Sequence, residues 1–501
     1  MPAPIDDLHD HLAPIEDLKA AAAVLRWDQE TYMPEGGGEA RAQQLSTLQS
    51  TAHERFVADE TGALLDRAAD AVDGTDPLDP DAALVRVTRR DYERAVRVPS
   101  SLVAELSKAK SEAQQAWTQA RADDDFPQFA PHLERLVELS VEKAEAIGYE
   151  DEPYDALLTE YEPGRTTATV ASLFDALRDD LVSLVDAIAD APQIDNSILH
   201  GTYPQSEQRA FGRSVIEDVG YDFDRGRQDV SAHPFTTSFS PNDVRLTTRY
   251  DEDNVASALF STIHEAGHGL YEQGIDPALA RTPLRDGASL SIHESQARLW
   301  ENHVGRSRSF WHHYLPRLRE TFPDTFGDVA FEPFYRAINR VKPSLIRVEA
   351  DEVTYHLHVM LRFELERSLI DGSVSVNELP ERWNAAMDES LGVVPETDAD
   401  GVLQDMHWSQ GAFGYFPNYT LGTLTAAQFM ETIRDDIADV EAHIVNGRFD
   451  PLLDWLRTHI HQHGRKLEAP DLLKHTTGAD LSAEPWLRYA RNKFGALYDL
   501  S

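Results

Sequence analysis

The chain of 501 residues contains no cysteine. This absence excludes a disulfide framework and any metal site built from thiolates. The chain also lacks an apolar run of about eighteen residues, so no membrane-spanning helix is expected. Its first ten residues are acidic and lack the basic start and apolar stretch of a signal peptide. Together these absences predict a cytoplasmic protein.

Lysine is scarce, and arginine supplies most of the positive charge. Asp and Glu number 87 against 46 Lys and Arg, so the formal net charge is -41. Nucleic acid is disfavoured as a partner because its binding usually needs a basic patch. The acidic residues are spread along the whole chain instead of forming a tail. This dispersion favours adaptation to concentrated salt, as in a halophile, over an acidic interaction surface.

Helical periodicity, by contrast, is abundant. Apolar residues recur at helical spacing and predict helices over 8–27, 40–60, 88–118, 129–146, 170–190, 207–219, 331–341, 346–369, 379–391, 426–446 and 449–463. Only residues 236–250 have strand character, and a Pro-Asn-Asp turn within them predicts a small hairpin. We therefore expect a mainly α fold with a small sheet, built as a single domain over residues 1–501.

Residues 264–268 read His-Glu-Ala-Gly-His, the pattern H-E-x-x-H. Residues i and i+4 lie on one face of a helix, so His264 and His268 can direct imidazole nitrogens to one metal ion. Glu265 lies beside the first histidine. A carboxylate there can act as a general base on water whose pKa the metal has lowered.

The surroundings of the motif support a helix over 254–271. An apolar stripe runs along it, and Asp and Asn residues at 251–254 are placed to cap its start. Gly267 and Gly269 each cost about 1 kcal/mol inside a helix relative to alanine, which indicates that another group approaches the backbone closely. The alternative is an amphipathic helix whose polar face carries two histidines by chance.

The local sequence pattern does not determine the third metal ligand. A hydrolytic zinc keeps three protein ligands and one open position. A second helix, predicted over 289–304, carries Glu294 in its first turn, and Glu294 competes for this role with Glu272 and Glu301. Two histidines and a carboxylate also suit non-haem iron, but Glu265 between the histidines favours hydrolysis.

Further unusual stretches lie at 243–247, 346–351, 401–408 and 411–422. In their order along the chain, they resemble the carboxypeptidase Taq family of metallocarboxypeptidases. All five motifs of that family are present in this sequence: D-x-R-x-T, H-E-x-x-H, H-E-S-Q, I-R-x-x-A-D and G-x-x-Q-D-x-H-W. Residues 27–34 resemble the family's opening, so the resemblance covers nearly the whole chain.

The resemblance implies a large helical, cleft-shaped body similar to angiotensin-converting enzyme and neurolysin. It makes His264, His268 and Glu294 the metal ligands and Glu265 the general base. It also implies a homodimer that removes single C-terminal residues from peptides with broad side-chain tolerance. The expected cofactor is Zn²⁺, with Co²⁺ or another divalent metal as the alternative.

Two further roles have several candidate residues. A hydrogen-bond donor should stabilise the oxyanion, and the candidates are His407, Tyr415 and Tyr419. A free substrate carboxylate suits a bidentate arginine. Arg245 and Arg347 are the candidates for it, with Asp243 assigned to substrate binding beside Arg245. A structural ion pair is the alternative for each arginine. The strand of Arg245 is also expected to be able to pair with the substrate backbone.

Three alternatives compete with this function. Within enzymes, the same fold supports dipeptidyl carboxypeptidase or oligopeptidase activity. Outside enzymes, the chain could be a metal-stabilised peptide-binding scaffold, although such a module has no need of Glu265. An acidic mimic of nucleic acid would need its charge on one face, whereas here the charge is dispersed.

Overall fold

The computed structural model describes residues 4–500, most of which lie in α-helices. In chain order these are α1 (Pro4–Thr31), α2 (Gly38–Phe56), α3 (Asp59–Val72), α4 (Pro80–Arg97), α5 (Ser100–Asp123), α6 (Phe126–Ile147), α7 (Pro153–Leu158), α8 (Thr167–Asp190), α9 (Gln205–Asp218), α10 (Val255–Gly274), α11 (Leu290–Arg298), α12 (Arg308–Thr321), α13 (Pro323–Phe326), α14 (Phe331–Ile338), α15 (Tyr355–Ile370), α16 (Leu379–Leu391), α17 (Pro417–Asp436), α18 (Val440–Val445), α19 (Asp450–His459), α20 (Ala469–Thr477) and α21 (Glu484–Tyr498). The mainly α fold class is confirmed.

Two compact units are formed from segments that alternate along the chain. The first contains the residues up to Ala95 together with Asp195–Ile338 and Thr425–Asp480. The second contains Val96–Ile194, Asn339–Leu424 and the residues from Leu481 onward. The single domain over 1–501 stays a prediction. Among residues 4–500, no helix combines the length and apolar character needed to cross a membrane.

The sheet belongs to the first unit and has three strands, β1 (Gly226–Val230), β2 (Thr236–Ser240) and β3 (Asp243–Thr248). The predicted hairpin is confirmed as the antiparallel pair β2–β3. β1, which the sequence did not reveal, pairs in parallel with β3. Because β3 lies between the other two strands, it has no free edge. The expectation that the strand of Arg245 could pair with a substrate backbone is therefore wrong.

Two helix boundaries differ from those that the apolar periodicity predicts, because a nearby residue interrupts or delays the helix. The predicted helix over 88–118 is broken at Pro99, which has no N–H to continue it. The predicted helix over 346–369 instead begins at Tyr355, after a short 3₁₀ turn at Arg347–Glu349. Asp351 causes this delay, because its carboxylate accepts hydrogen bonds from backbone N–H groups of the following turn.

Candidate active site

Two glycines of α10 let its neighbours approach the H-E-x-x-H motif. A Cβ atom at Gly267 would lie 2.6 Å from Ala297 Cα, on α11. A Cβ atom at Gly269 would lie 2.9 Å from the side chain of Leu246, on β3. Larger residues would push these elements away. Gly267 and Gly269 destabilise an isolated helix, but here they allow α11 and the sheet to pack closely against α10.

This packing brings His264, His268 and Glu294 together. Their ligand atoms all lie within 4.8 Å of one another. The Nε2 atoms of both histidines lie 3.8 Å from the same oxygen, Glu294 Oε2. Tetrahedral zinc ligands about 2.1 Å from the metal stand roughly 3.4 Å apart. A small divalent cation therefore fits this group after a slight contraction.

Partners on the Nδ1 atoms orient both imidazole rings. His264 Nδ1 lies 3.0 Å from Glu301 Oε2. His268 Nδ1 lies 3.0 Å from the carbonyl oxygen of His293 and 2.6 Å from its Nδ1. In turn, His293 Nε2 lies 2.8 Å from Glu272 Oε1. Acceptors at Nδ1 place the ring proton there, and each Nε2 lone pair is then free for a metal.

Two of the three competing carboxylates, those of Glu294 and Glu301, occupy different sides of His264. Arg298 donates from Nε to Glu294 Oε1 at 2.6 Å and from Nη1 to Glu301 Oε2 at 3.2 Å. Glu301 lies in a π-helical stretch, Leu299–Gly305, that follows α11. Although burial opposes its ionisation, Arg298 and His264 hold the pKa of Glu301 well below its usual range. The geometry makes Glu301 a charged outer partner and leaves Glu294 on the Nε2 side.

Glu265 is buried beside this group, and its Oε2 lies 2.6 Å from the hydroxyl of Thr236. Burial raises the pKa of the Glu265 carboxyl, against the opposing effects of His264 and Thr236. Burial also holds the pKa of His268 well below its usual value, which keeps its imidazole in the neutral, metal-binding form. At His264 burial opposes the charged form, but Glu294 and Glu301 together outweigh it and raise the pKa.

Asp243 and Arg245 lie on the other face of the sheet. Side chains alternate along a strand, and Leu246 contacts α10, so Arg245 projects away from that helix. Arg245 forms a bidentate ion pair with Asp243 at 2.8 and 2.9 Å. Its guanidinium carbon is 4.3 Å from the ring centre of Trp27 and 4.9 Å from that of Phe239.

A second group of buried polar residues lies in the second unit and includes Arg347. Its Nε and Nη2 donate to Asp405 Oδ1 at 3.1 and 2.7 Å, and its Nη1 donates to the Tyr355 hydroxyl at 2.7 Å. Arg362 donates to the other oxygen of Asp405 at 2.6 Å. Burial opposes ionisation of Asp405, yet the two arginines hold its pKa well below the usual range.

The three candidate oxyanion donors belong to this same group. His407 Nε2 lies 3.4 Å from the Tyr419 hydroxyl, and the His407 and Tyr415 ring centres are 5.2 Å apart. Burial lowers the pKa of His407 to about 3, so this side chain is neutral near pH 7. The structure thus collects His407, Tyr415, Tyr419 and Arg347 in one place.

Comparison with known proteins identifies the family. The model of the Carboxypeptidase Taq (M32) metallopeptidase family matches residues 7–494. The chain belongs to this family. The resemblance inferred from the five motifs is therefore confirmed, and the protein is a metallopeptidase.

Relatives of this carboxypeptidase Taq family member match over nearly their full length. Thermostable carboxypeptidase 1 of Thermus thermophilus is 44% identical over 491 residues, covering 96% of each chain. Carboxypeptidase 1 of Bacillus subtilis is 38% identical, covering 98% of each chain. The crystal structure of the M32 carboxypeptidase from Deinococcus radiodurans R1 superposes with a TM-score of 0.96 at 42% identity, covering 99% of this chain and 100% of that one. The helical fold with its small sheet is thus the fold of the family.

The sequence analysis did not identify several residues that surround the candidate metal ligands. Arg298 lies four residues after Glu294, which is a detectable helical spacing. The contact of His293 with Glu272, and that of Thr236 with Glu265, join separate elements. No local spacing signals such contacts.

Proposed function

We propose that the chain is a zinc carboxypeptidase that releases single C-terminal residues from peptides with broad side-chain tolerance. The observation that carries this proposal is the group of His264, His268 and Glu294, with Glu265 next in the chain to the first histidine. Two imidazoles and a carboxylate are the donor set of a hydrolytic zinc site. Co²⁺ or another divalent metal can accept the same donors.

Glu265 is the proposed general base. When bound, the metal ion supplies a Lewis acid that acidifies water and polarises the scissile carbonyl. Glu265 takes the proton from water and hands it to the leaving amine nitrogen. His264 and His268 are fixed by their Nδ1 partners, so the ligand geometry is set before substrate binds.

Arg347 is the stronger candidate for binding the substrate carboxylate. Its guanidinium has five N–H groups, of which Asp405 and Tyr355 engage three, so two are left for a ligand. It also lies 4.9 Å from the Tyr419 ring centre, within a group of hydrogen-bond donors. Arg245 with Asp243 stays the second candidate, because its side chain projects away from α10.

The oxyanion donor is proposed to be one of His407, Tyr415 and Tyr419. A neutral imidazole and two phenols can each donate one hydrogen bond without carrying a charge. One such donor is typically worth about 2.7–4 kcal/mol in the transition state. The short distance between His407 and Tyr419 supports a shared role for this pair.

The remaining expectations concern the environment of the enzyme. We propose a cytoplasmic homodimer adapted to concentrated salt, on the basis of the family resemblance and the dispersed net charge of -41. Peptides are the proposed partners, because the acidic composition disfavours nucleic acid.

Product analysis together with metal content tests the function. The purified protein is assayed in molar salt with an N-terminally blocked peptide, once with a free C-terminal carboxylate and once amidated. We expect about one zinc ion per chain, release of single amino acids from the free acid, and little cleavage of the amide. Release of dipeptides would indicate the dipeptidyl alternative. Equal cleavage of both peptides would indicate an oligopeptidase, and binding without cleavage would indicate the scaffold.

A further inference from the structure

A hydroxyl from the sheet contacts the carboxylate of the proposed base. Thr236 Oγ1 lies 2.6 Å from Glu265 Oε2 and 2.9 Å from the Glu265 carbonyl oxygen. A hydroxyl has one proton to donate. The carboxylate is the nearer acceptor and carries charge, so the proton goes to Oε2. Within residues 4–500, this hydroxyl is the only hydrogen-bond partner of the Glu265 carboxylate.

The register of the sheet determines that the Thr236 hydroxyl faces α10. Thr236 pairs with Leu246 across β2 and β3, and Thr237 pairs with Arg245. Side chains of paired residues lie on the same face of a sheet. Leu246 faces Gly269 of α10, so Thr236 faces α10 as well, and Thr237 faces the opposite side.

We infer that Thr236 is a positioning residue for the general base, an inference that rests on the proposed role of Glu265. Its hydrogen bond to Oε2 selects one orientation of the carboxylate and leaves Oε1 as the acceptor for the proton of water. Without this donor, the Glu265 side chain is free to turn within its buried site. Misplacement of the base slows proton transfer and leaves substrate binding unchanged, because the base acts only in the transition state.

Three single variants test this role. Thr236→Val keeps the shape of the side chain and removes the hydroxyl, whereas Thr236→Ser keeps the hydroxyl. Thr237→Val is the matched control, since it makes the same substitution in the same strand on the opposite face. We expect Thr236→Val to lower kcat about 10–100-fold with KM nearly unchanged. Thr236→Ser should stay within about threefold of the native kcat, and Thr237→Val should match the native enzyme.

Metal content and melting temperature separate positioning from structural damage. Both should be native in all three variants. A native kcat in Thr236→Val overturns the inference, as does a loss of kcat accompanied by loss of metal or by an equal loss in Thr236→Ser.

A double variant separates this inference from the proposed function. Adding Thr236→Val to Glu265→Gln should cause no further loss, because no base is left to position. Near-native turnover of Glu265→Gln alone would overturn the proposed mechanism. Low turnover of Glu265→Gln combined with native turnover of Thr236→Val would overturn only the role of Thr236.

Discussion

Two buried groups in this protein carry opposite charge. Around the candidate metal ligands, carboxylates outnumber guanidinium groups: the nearby acids are Glu265, Glu272, Glu294 and Glu301, and the nearby arginines are Arg298 and Arg306. In the second group, Arg347 and Arg362 share the single carboxylate of Asp405. Buried charge is costly unless it is compensated. The first group therefore suits a cation, and the second suits an anion such as a substrate carboxylate.

The two groups also differ in how the chain assembles them. The first draws its three candidate ligands from two helices, α10 and α11, and two of them lie one turn apart. The second draws on four separate segments, 347, 355–362, 404–407 and 415–419. Helical spacing thus accounts for much of the first group, whereas the second group depends on long-range folding.

The largest expected effect tests the chemistry of the first group. Glu265→Gln should retain the metal and lower kcat by at least about 1000-fold, because an amide cannot accept the proton of water. Steady-state kinetics and metal analysis on the same preparation measure this. Near-native activity would contradict the proposed base.

A buried carboxyl group outside the second group, that of Glu366, predicts a dependence of stability on pH. Glu366 accepts hydrogen bonds from Tyr154, Trp408 and the Gly414 N–H at 2.7, 2.9 and 2.9 Å. Burial raises its pKa to about 7 from an ordinary 4.5. The folded state therefore holds the proton more tightly than the unfolded state. This stabilisation is complete below about pH 4.5 and is lost as the pH rises through about 7.

The loss amounts to about 3 kcal/mol, at 1.36 kcal/mol per pH unit. It is measured as the free energy of unfolding in urea, at constant salt, for the native protein and for Glu366→Gln, which does not titrate. From pH 4.5 to 8, the native protein should lose about 3 kcal/mol relative to the variant. A constant difference between the two proteins would be evidence against a raised pKa at Glu366.

The anion-binding interpretation of the second group is tested at Arg347. Arg347→Ala should lower kcat/KM for free-acid peptides by about 1.5–3 kcal/mol, the range for hydrogen bonds to charged groups. It should leave the slow cleavage of amidated peptides unchanged. Arg382→Ala is the control, since Arg382 is exposed and pairs with Glu378 at 3.8 Å. An equal loss for both kinds of peptide would assign Arg347 a structural role.

The outer partners of the first group are tested through metal affinity. Glu301→Gln should weaken zinc binding by about 10–100-fold, because it removes the charged acceptor at His264 Nδ1. Competition with a chelator measures this affinity. Glu332→Gln provides the control, because that exposed residue pairs with Arg308 far from any ligand in sequence. Native affinity in Glu301→Gln would show that the contact does not orient the ligand.

The smallest expected effect per residue comes from the dispersed acidic side chains. Carboxylates repel one another over a Debye length of about 30 Å at 0.01 M salt and about 3 Å at 1 M. Melting temperature and activity should therefore rise between roughly 0.1 and 2 M monovalent salt. A flat curve would contradict salt adaptation, and the net charge of -41 would then require a different explanation.

Local sequence patterns predicted much of the candidate site. His264 and His268 follow from i, i+4 spacing, and the hairpin follows from its turn. β1 was missed because its partner in the sheet, β3, runs parallel to it and is not the next strand along the chain. The late start of α15 was missed because it depends on a hydrogen bond that the Asp351 carboxylate accepts from the backbone. The spacing of apolar residues gives no sign of this bond.

The sequence by itself determined the helical class, the two histidines with their neighbouring glutamate, and the family. These features depend on residue spacing within a single element or on motif order. The tertiary structure alone placed Glu294 on the Nε2 side of His264 and Glu301 on its Nδ1 side, turned Arg245 away from α10, and brought Thr236 into contact with Glu265. Each of these depends on packing between separate elements, where sheet register and helix approach set distances that no local spacing encodes.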